Sequence, residues 1–254
     1  MTALITGAST GIGYELAKLF AKDGCGLILV ARDRRKLEEV AAEMRKLSGQ
    51  DVRVIAADLA EPGSSKQIFR EAGTVDFLVN NAGFGLGGDF AHTDLATELN
   101  MIQVNVASLV TLTKLFLIPM SERKRGRILN VASTAAFQPG PLMAVYYASK
   151  AFVLSFTEAV AEELRGTGVT VTVLCPGPTA SEFHTRAKIE NTKLIKGKII
   201  GMMTAAKVAQ AGYRGMMAGK VVVIPGFLNK LGVQSLRIGP RALVRRAARK
   251  LQES

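Results

Sequence analysis

The chain has 254 residues, enough for one α/β domain that buries roughly three-quarters of its unfolded surface. It carries 33 Lys/Arg against 21 Asp/Glu, for a net charge of +12. Two cysteines (Cys25, Cys175) and two histidines (His92, His184) supply neither a disulfide framework nor a zinc-spaced cluster, so two buried thiols and metal-free chemistry are expected. The charge is segregated: 15 of the basic residues but only 3 of the acidic ones lie in residues 181–254. That asymmetry suggests an anionic ligand, lipid surface or partner near the C-terminal end, with a solvated lysine-rich surface as the alternative. No basic-aromatic motif accompanies it, which argues against nucleic acid. No secretory pattern opens the chain, and no run of about 18 apolar residues occurs, so a cytoplasmic location is expected.

Short apolar runs recur along the chain, at Ala3–Ile5, Gly26–Ala31, Val52–Ala56, Phe77–Asn80, Arg127–Val131, Val169–Leu174 and Val221–Ile224. They lack polar alternation, as strands do when both sheet faces are covered. Amphipathic segments lie between them; in Arg34–Leu47, residues Leu37, Val40, Ala41, Met44 and Leu47 share one face. This alternation predicts α/β architecture: a doubly wound parallel sheet of seven strands, helices on both faces and right-handed crossovers. Residues 1–254 read as a single domain, with no linker or repeat.

The first strand runs into Thr6-Gly7-Ala8-Ser9-Thr10-Gly11-Ile12-Gly13. Gly7 permits a tight exit from the strand, Gly11 lets backbone approach a pyrophosphate, and Gly13 lets the helix pack on the sheet. The helix N-terminus offers unpaired N–H groups to phosphates. At the end of the second strand, an acidic side chain would bind a ribose 2′-hydroxyl and repel a 2′-phosphate. Ala31 stands there instead, followed by Arg32, with Arg34, Arg35 and Lys36 nearby. A guanidinium suits a phosphate, so NADP(H) is the expected cofactor. Further on, Tyr146 and Lys150 are four residues apart on a predicted helix and so share a face, whereas Tyr147 points elsewhere, to packing or substrate. A nearby ammonium is expected to lower the Tyr146 phenol pKa and make proton transfer feasible near neutral pH.

Together these motifs resemble the short-chain dehydrogenase/reductase family over roughly residues 2–225. The resemblance rests on the Gly-x-x-x-Gly-x-Gly turn, Asn80-Asn81-Ala82-Gly83, the 13-residue step from Ser133 to Tyr146, and Pro176-Gly177-Pro178-Thr179. It implies a Rossmann-type fold. It implies that Asp58, with Leu59, sits at the adenine; that Asn81, Ala82 and Gly83 belong to the cofactor site along with Ser9, Thr10 and Ile12; and that Thr179, after Pro176 and Gly177, meets the nicotinamide carboxamide. Tyr146 would be the general acid or base, Lys150 its helper and a ribose ligand, and Ser133 the partner of the substrate oxygen. Asn105 would interrupt its helix and hold a water in a proton relay to Lys150. The implied activity is NADP(H)-dependent interconversion of a carbonyl and a secondary alcohol. The substrate would be largely apolar: a ketone, or a steroid-like or 3-oxoacyl compound, with a loose likeness to the hydroxysteroid and 3-oxoacyl reductase branch. A non-catalytic cofactor-binding sensor and an epimerase on the same fold are the alternatives. A homodimer or homotetramer is implied, through helices Leu95–Leu117 and Tyr147–Arg165 and residues such as Val104, Leu112, Leu115, Phe152 and Phe156.

Substrate contacts are expected from Phe84–Gly88, Ala135–Met143 and a lid over about 181–203, with Phe137, Leu142, Met143, Phe183, Ile199 and Met202 as candidate apolar lining. His184 reads as a surface or packing residue. A basic extension follows over about 226–254. Phe227, Leu228, Leu231 and Leu236 could form an apolar strip. In a final helix, Leu243, Val244, Ala247, Ala248 and Leu251 share a face opposite Arg245, Arg246, Arg249 and Lys250. That helix could pack on its own subunit or a neighbour, lie on a membrane surface, or form a basic rim for an anionic acyl carrier.

Overall fold

The computed structural model describes residues 1–180, Phe183, Ala187, Ile189, Thr192 and 202–253. Seven parallel strands form one sheet: β1 (Thr2–Thr6), β2 (Gly26–Ala31), β3 (Val52–Ala56), β4 (Phe77–Asn80), β5 (Gly126–Val131), β6 (Val169–Leu174) and β9 (Val222–Val223), in the order β3-β2-β1-β4-β5-β6-β9. Two further strands, β7 (Thr179–Ala180) and β8 (Met203–Thr204), pair separately.

The missing polar alternation has a direct cause. Ala3 and Ile5 of β1 and Leu27 and Leu29 of β2 enter one core, while Leu4, Ile28 and Val30 enter the other. The first core is covered by α1 (Gly11–Lys22), α2 (Arg34–Ser48) and α7 (Ala205–Met217), where Phe20 meets Tyr213 edge to face at 4.9 Å. The second is covered by α3 (Ser64–Ala72), α5 (Leu109–Glu122) and α6 (Ala144–Glu163). Alternating side chains on each strand are therefore buried on opposite faces.

A polar thread crosses this second layer. Asn80 and Asn130 are register partners on β4 and β5; the Asn80 amide donates to Asn130 Oδ1 at 2.9 Å and to Thr113 Oγ1 at 3.0 Å. Asn130 in turn donates to Thr157 Oγ1 at 3.0 Å. These bonds fix the azimuth of α5 and α6 where apolar packing alone would let the helices slide.

Helix α4 (Leu95–Ile102) continues into α5 through a π-helical stretch, Gln103–Ser108. The continuous helix Leu95–Glu122 is long and apolar enough to cross a membrane by length and composition. In the fold its Leu109, Leu112, Thr113, Phe116 and Met120 are buried, and α5 packs on β4 and β5. Leu112, expected as a candidate oligomer contact, is thus a core residue, 1% exposed.

The tail forms two helices, α8 (Phe227–Ile238) and α9 (Arg241–Gln252). Ala248 and Gln252 of α9 are buried against the domain, so α9 is docked rather than free, with Arg245, Arg246, Arg249 and Lys250 outward.

Candidate active site

In the sheet order β1 lies between β2 and β4, so the chain's direction of winding reverses beside it. The crevice beyond the carboxyl ends of such strands is where this architecture places ligands. Here that crevice is a cavity of about 930 Å³.

The β1–α1 turn forms its floor. Gly7 and Gly11 have φ of 65° and 59°, backbone that favours glycine. A Cβ on Gly13 would stand 2.3 Å from the Gly7 carbonyl oxygen, so the turn can fold under α1 only without one. Thr6 and Asn81 lock it to β4. Asn81 and Ala82 both donate backbone N–H to Thr6 Oγ1 at 3.0 Å, and the Asn81 amide donates to the Thr6 and Gly7 carbonyls at 2.9 and 3.1 Å. Thr6 thus organises both halves of the crevice, a role its sequence context gave no sign of.

Whether a dinucleotide fits can be judged from the helix start. The N-cap of α1, Thr10, makes no side-chain cap bond, and the first turn holds no acidic residue. The first N–H groups of α1 are left to an external acceptor beside a glycine cradle, as a pyrophosphate requires. Of the expected cofactor residues, all but Gly13 line the cavity, Gly7, Arg32, Asp58 and Thr179 among them. Arg32 stands largely exposed at one end, 3.9 Å from the Asp58 carboxylate. Asp33 lines the cavity too, but its carboxylate accepts the Lys36 N–H at 3.0 Å and caps α2. Asp58 also accepts the Ala60 N–H at 2.9 Å, and Thr179 Oγ1 donates to the Gly177 carbonyl at 2.9 Å.

At the other end Ser133, Tyr146 and Lys150 come together. Ser133 ends β5's exit, its hydroxyl accepting the Ala135 N–H at 3.1 Å and donating to the Pro176 carbonyl at 3.3 Å. It is near enough to the Tyr146 phenol to pull its pKa down. Lys150 Nζ donates to the Val131 carbonyl at 2.9 Å and lies 5.8 Å from the centre of the Tyr146 ring. The expected lowering of the Tyr146 pKa is not found. Burial pushes the phenol up, Ser133 opposes that only in part, and Lys150 is itself driven toward neutrality. Burial pulls the Lys150 ammonium down to about 8 and pushes the neighbouring Cys175 thiol up to about 12.

Asn105 does interrupt its helix: it sits in the π-helical stretch, a common device for turning a side chain into a site. It lies outside the cavity lining, 1% exposed. Its amide is taken up by Phe84, accepting that N–H at 3.1 Å and donating to that carbonyl at 3.0 Å, and it donates to Ser149 Oγ at 3.1 Å. Asn105 therefore pins the Phe84–Gly88 loop to the second turn of α6. Gly83 leaves room for this: a Cβ there would be 2.9 Å from Asn105 Oδ1 and 3.3 Å from Lys150 Nζ.

The wall above Tyr146 is apolar. Phe183 lies 5.3 Å from its ring, and Met143, Ile189 and Phe84 complete the cluster. Phe137, expected in this wall, instead packs in a separate cluster with Val153 and Cys175, because its 3₁₀ turn points it under the sheet edge. Leu142 and Met202 do not line the cavity either. His184, Ile199 and most of the expected lid fall outside the described residues. The wall that the sequence did not assign comes from the tail: Leu228, Val233, Leu236, Val244, Ala247 and Leu251 face the cavity.

The family model described as short chain dehydrogenase matches residues 1–192. The chain is 33% identical over 214 residues to the ketoacyl reductase HetN of a Nostoc species, covering 83% of this chain and 73% of that protein. It is 33% identical over 236 residues to 17-beta-hydroxysteroid dehydrogenase type 3 of Mus musculus, covering 90% and 75%. The solved structure of a short-chain dehydrogenase from Sphingobium yanoikuyae in complex with NADPH superposes with a TM-score of 0.83 at 31% identity, over 97% of each chain.

Burial of Lys150 has a consequence for stability. Its pKa is about 8 when folded against 10.5 for a free lysine. The folded state therefore holds the proton less tightly than the unfolded state, a penalty present in full below pH 8 and gone above about pH 10.5. Lys150→Met is expected to be more stable than wild type in urea at pH 7, with the difference shrinking as pH rises through this window. A difference that does not vary between pH 7 and 10 would contradict this electrostatic assignment.

Proposed function

The chain belongs to the short chain dehydrogenase family, and from that premise we propose that it is an NADP(H)-dependent oxidoreductase acting on a largely apolar ketone or secondary alcohol. The observation that carries this reading is the convergence of Ser133, Tyr146 and Lys150 at one end of a crevice whose other end is a glycine cradle at an uncapped helix. A nicotinamide bound there would supply or accept the hydride. The chain's own residues manage the proton. Tyr146 gives it to the substrate oxygen, and Ser133 donates a hydrogen bond where negative charge develops. Burial keeps the phenol protonated in the free protein, which suits an acid and thus carbonyl reduction. Lys150, next to the same crevice, is placed to orient the cofactor ribose and to favour the phenolate after the proton has left. A cofactor sensor need not keep Ser133 and Tyr146 together with Lys150, and the intact set favours the enzyme reading.

Arg32 beside Ala31, with Asp33 occupied as a helix cap, supports preference for a 2′-phosphate. The apolar wall and the ketoacyl reductase and hydroxysteroid dehydrogenase names of the relatives support an oxoacyl or steroid-like ketone. Leu95, Leu99, Ile102, Ile118 and Phe152 are large apolar side chains exposed on α4, α5 and α6, with Phe152 stacked on Phe156 at 5.9 Å. They support a homodimer or homotetramer formed through these helices.

Two measurements follow. NADPH oxidation with a panel of ketones should fall at least a hundredfold, by about the usual size of a general acid's contribution, in Tyr146→Phe while NADPH affinity is kept. In the same assay Arg32→Ala should lose the preference for NADPH over NADH, and Ala31→Asp should shift it toward NADH. Equal turnover in wild type and Tyr146→Phe, or equal efficiency of the two cofactors in wild type, contradicts the corresponding assignment. Light scattering at micromolar concentration should give an even number of subunits; a monomer contradicts the interface.

A further inference from the structure

The wall contributed by the tail is apolar but for Asn229, Ser235 and Gln252, and of these only Gln252 has a buried side-chain atom without a hydrogen-bond partner among the described residues. Gln252, on the last turn of α9, faces the cavity and is 5% exposed. Its Nε2 donates to the Tyr147 hydroxyl oxygen at 2.7 Å. Its Oε1 is fully buried and has no hydrogen-bond partner among the described residues. A buried acceptor without a donor is unfavourable, a penalty that an apolar side chain here would not carry. The bond to Tyr147 accounts for the Nε2 of this amide but leaves its Oε1 without a use in the fold.

The partner of Gln252 is held just as deliberately. Tyr147 follows Tyr146 on α6, so its ring is turned about 100° around the helix, and the two rings meet edge to face at 6.0 Å. A Cβ on Gly140 would come within 2.1 Å of the Tyr147 ring, so glycine there lets the ring lie flat against the loop. The same loop holds Leu142 at φ 65°, left-handed backbone that a leucine rarely adopts. Gln138, from this loop, lines the cavity too. Polar side chains from three separate segments, Gln138, Tyr147 and Gln252, thus line the same crevice, with Tyr147 and Gln252 bonded to each other. None of them belongs to the group that handles the reacting carbonyl.

We propose that Gln252, oriented by Tyr147, is a second anchor point that accepts a hydrogen bond from the substrate at a distance from its carbonyl. This rests on the oxidoreductase reading above and narrows its substrate class. The preferred ligand is an apolar body with the carbonyl at one end and a hydroxyl or amide N–H further along. A site built to hydrogen-bond such a group discriminates against the analogue that lacks it, because the protein's acceptor is then left unpaired.

The test uses three matched ketones: 2-decalone, a decalone bearing a hydroxyl on the far ring, and the methyl ether of the latter. At saturating NADPH, kcat/KM for the hydroxylated ketone over 2-decalone is expected to be about tenfold or more in wild type, a hydrogen bond's worth. The ether, which cannot donate, gains nothing. Gln252→Leu brings the ratio close to one. Calorimetric Kd values of decalol and its far-ring diol for the NADP-loaded protein give the same comparison without turnover. The double variant Tyr147→Phe/Gln252→Leu removes both buried polar partners and is expected to keep or raise Tm; a purely structural amide predicts a lower Tm with discrimination unchanged. Equal ratios in wild type and Gln252→Leu, an ether as good as the alcohol, or no diol preference by calorimetry overturns the anchor. Absence of ketone turnover alone would instead count against the oxidoreductase reading, with the calorimetric pair still deciding the anchor.

Discussion

The crevice depends on one close approach, that of the β1–α1 turn to the end of β4. Thr6 Oγ1 accepts two backbone N–H groups from that end, and the Asn81 side chain returns two bonds to the turn. Contact is so tight that a Cβ on Gly7 would lie 2.8 Å from the Asn81 amide nitrogen and 3.0 Å from Ala82. Because the two strands are neighbours in the sheet, this clasp sets the width of the crevice. It also leaves the α1 N–H groups without internal acceptors, so the same feature that closes the fold creates the anion site.

From there the geometry propagates along β4 and β5. Asn80 and Asn130 tie the strands to α5 and α6, and α6 carries Tyr146 and Lys150. The π-helical stretch turns Asn105 inward, where it joins the Phe84 backbone to Ser149, and Ser149 donates to the Tyr146 carbonyl at 2.7 Å. Tyr146 is therefore positioned by a chain of hydrogen bonds that starts in the sheet. Its electrostatics follow from the same burial. The depressed ammonium costs stability at neutral pH, whereas the raised phenol, neutral in both the folded and unfolded states there, does not.

Much of this was legible in the sequence, for identifiable reasons. The seven strands showed because alternate residues such as Leu4 and Ile5 are buried in different cores, which removes polar alternation. The glycine turn and the Tyr146–Lys150 spacing are local, and local patterns survive without knowledge of packing. Where contacts run between distant segments, the reading failed. Phe137 and Leu112 look like other apolar residues until their neighbours are known, and both point away from where they were expected. Strands β7 and β8 have two residues each, too few to show a period. The sign of the Tyr146 shift was misjudged because spacing reveals a neighbouring charge but not the depth at which both groups are buried. The amphipathic pattern of α9 showed a face without showing what covers it, and no motif singles out Gln252.

The central claim is that this crevice transfers a hydride directly between cofactor and substrate, with the proton supplied separately by the protein. A single-turnover reduction of a ketone by NADPH deuterated at the transferable position of the nicotinamide measures this most directly. The account predicts one deuterium on the carbinol carbon per cofactor oxidised, and none on the hydroxyl oxygen, whose proton comes from Tyr146 and exchanges with solvent. Deuterium washed out into water, or product formed with the cofactor unchanged, would contradict it.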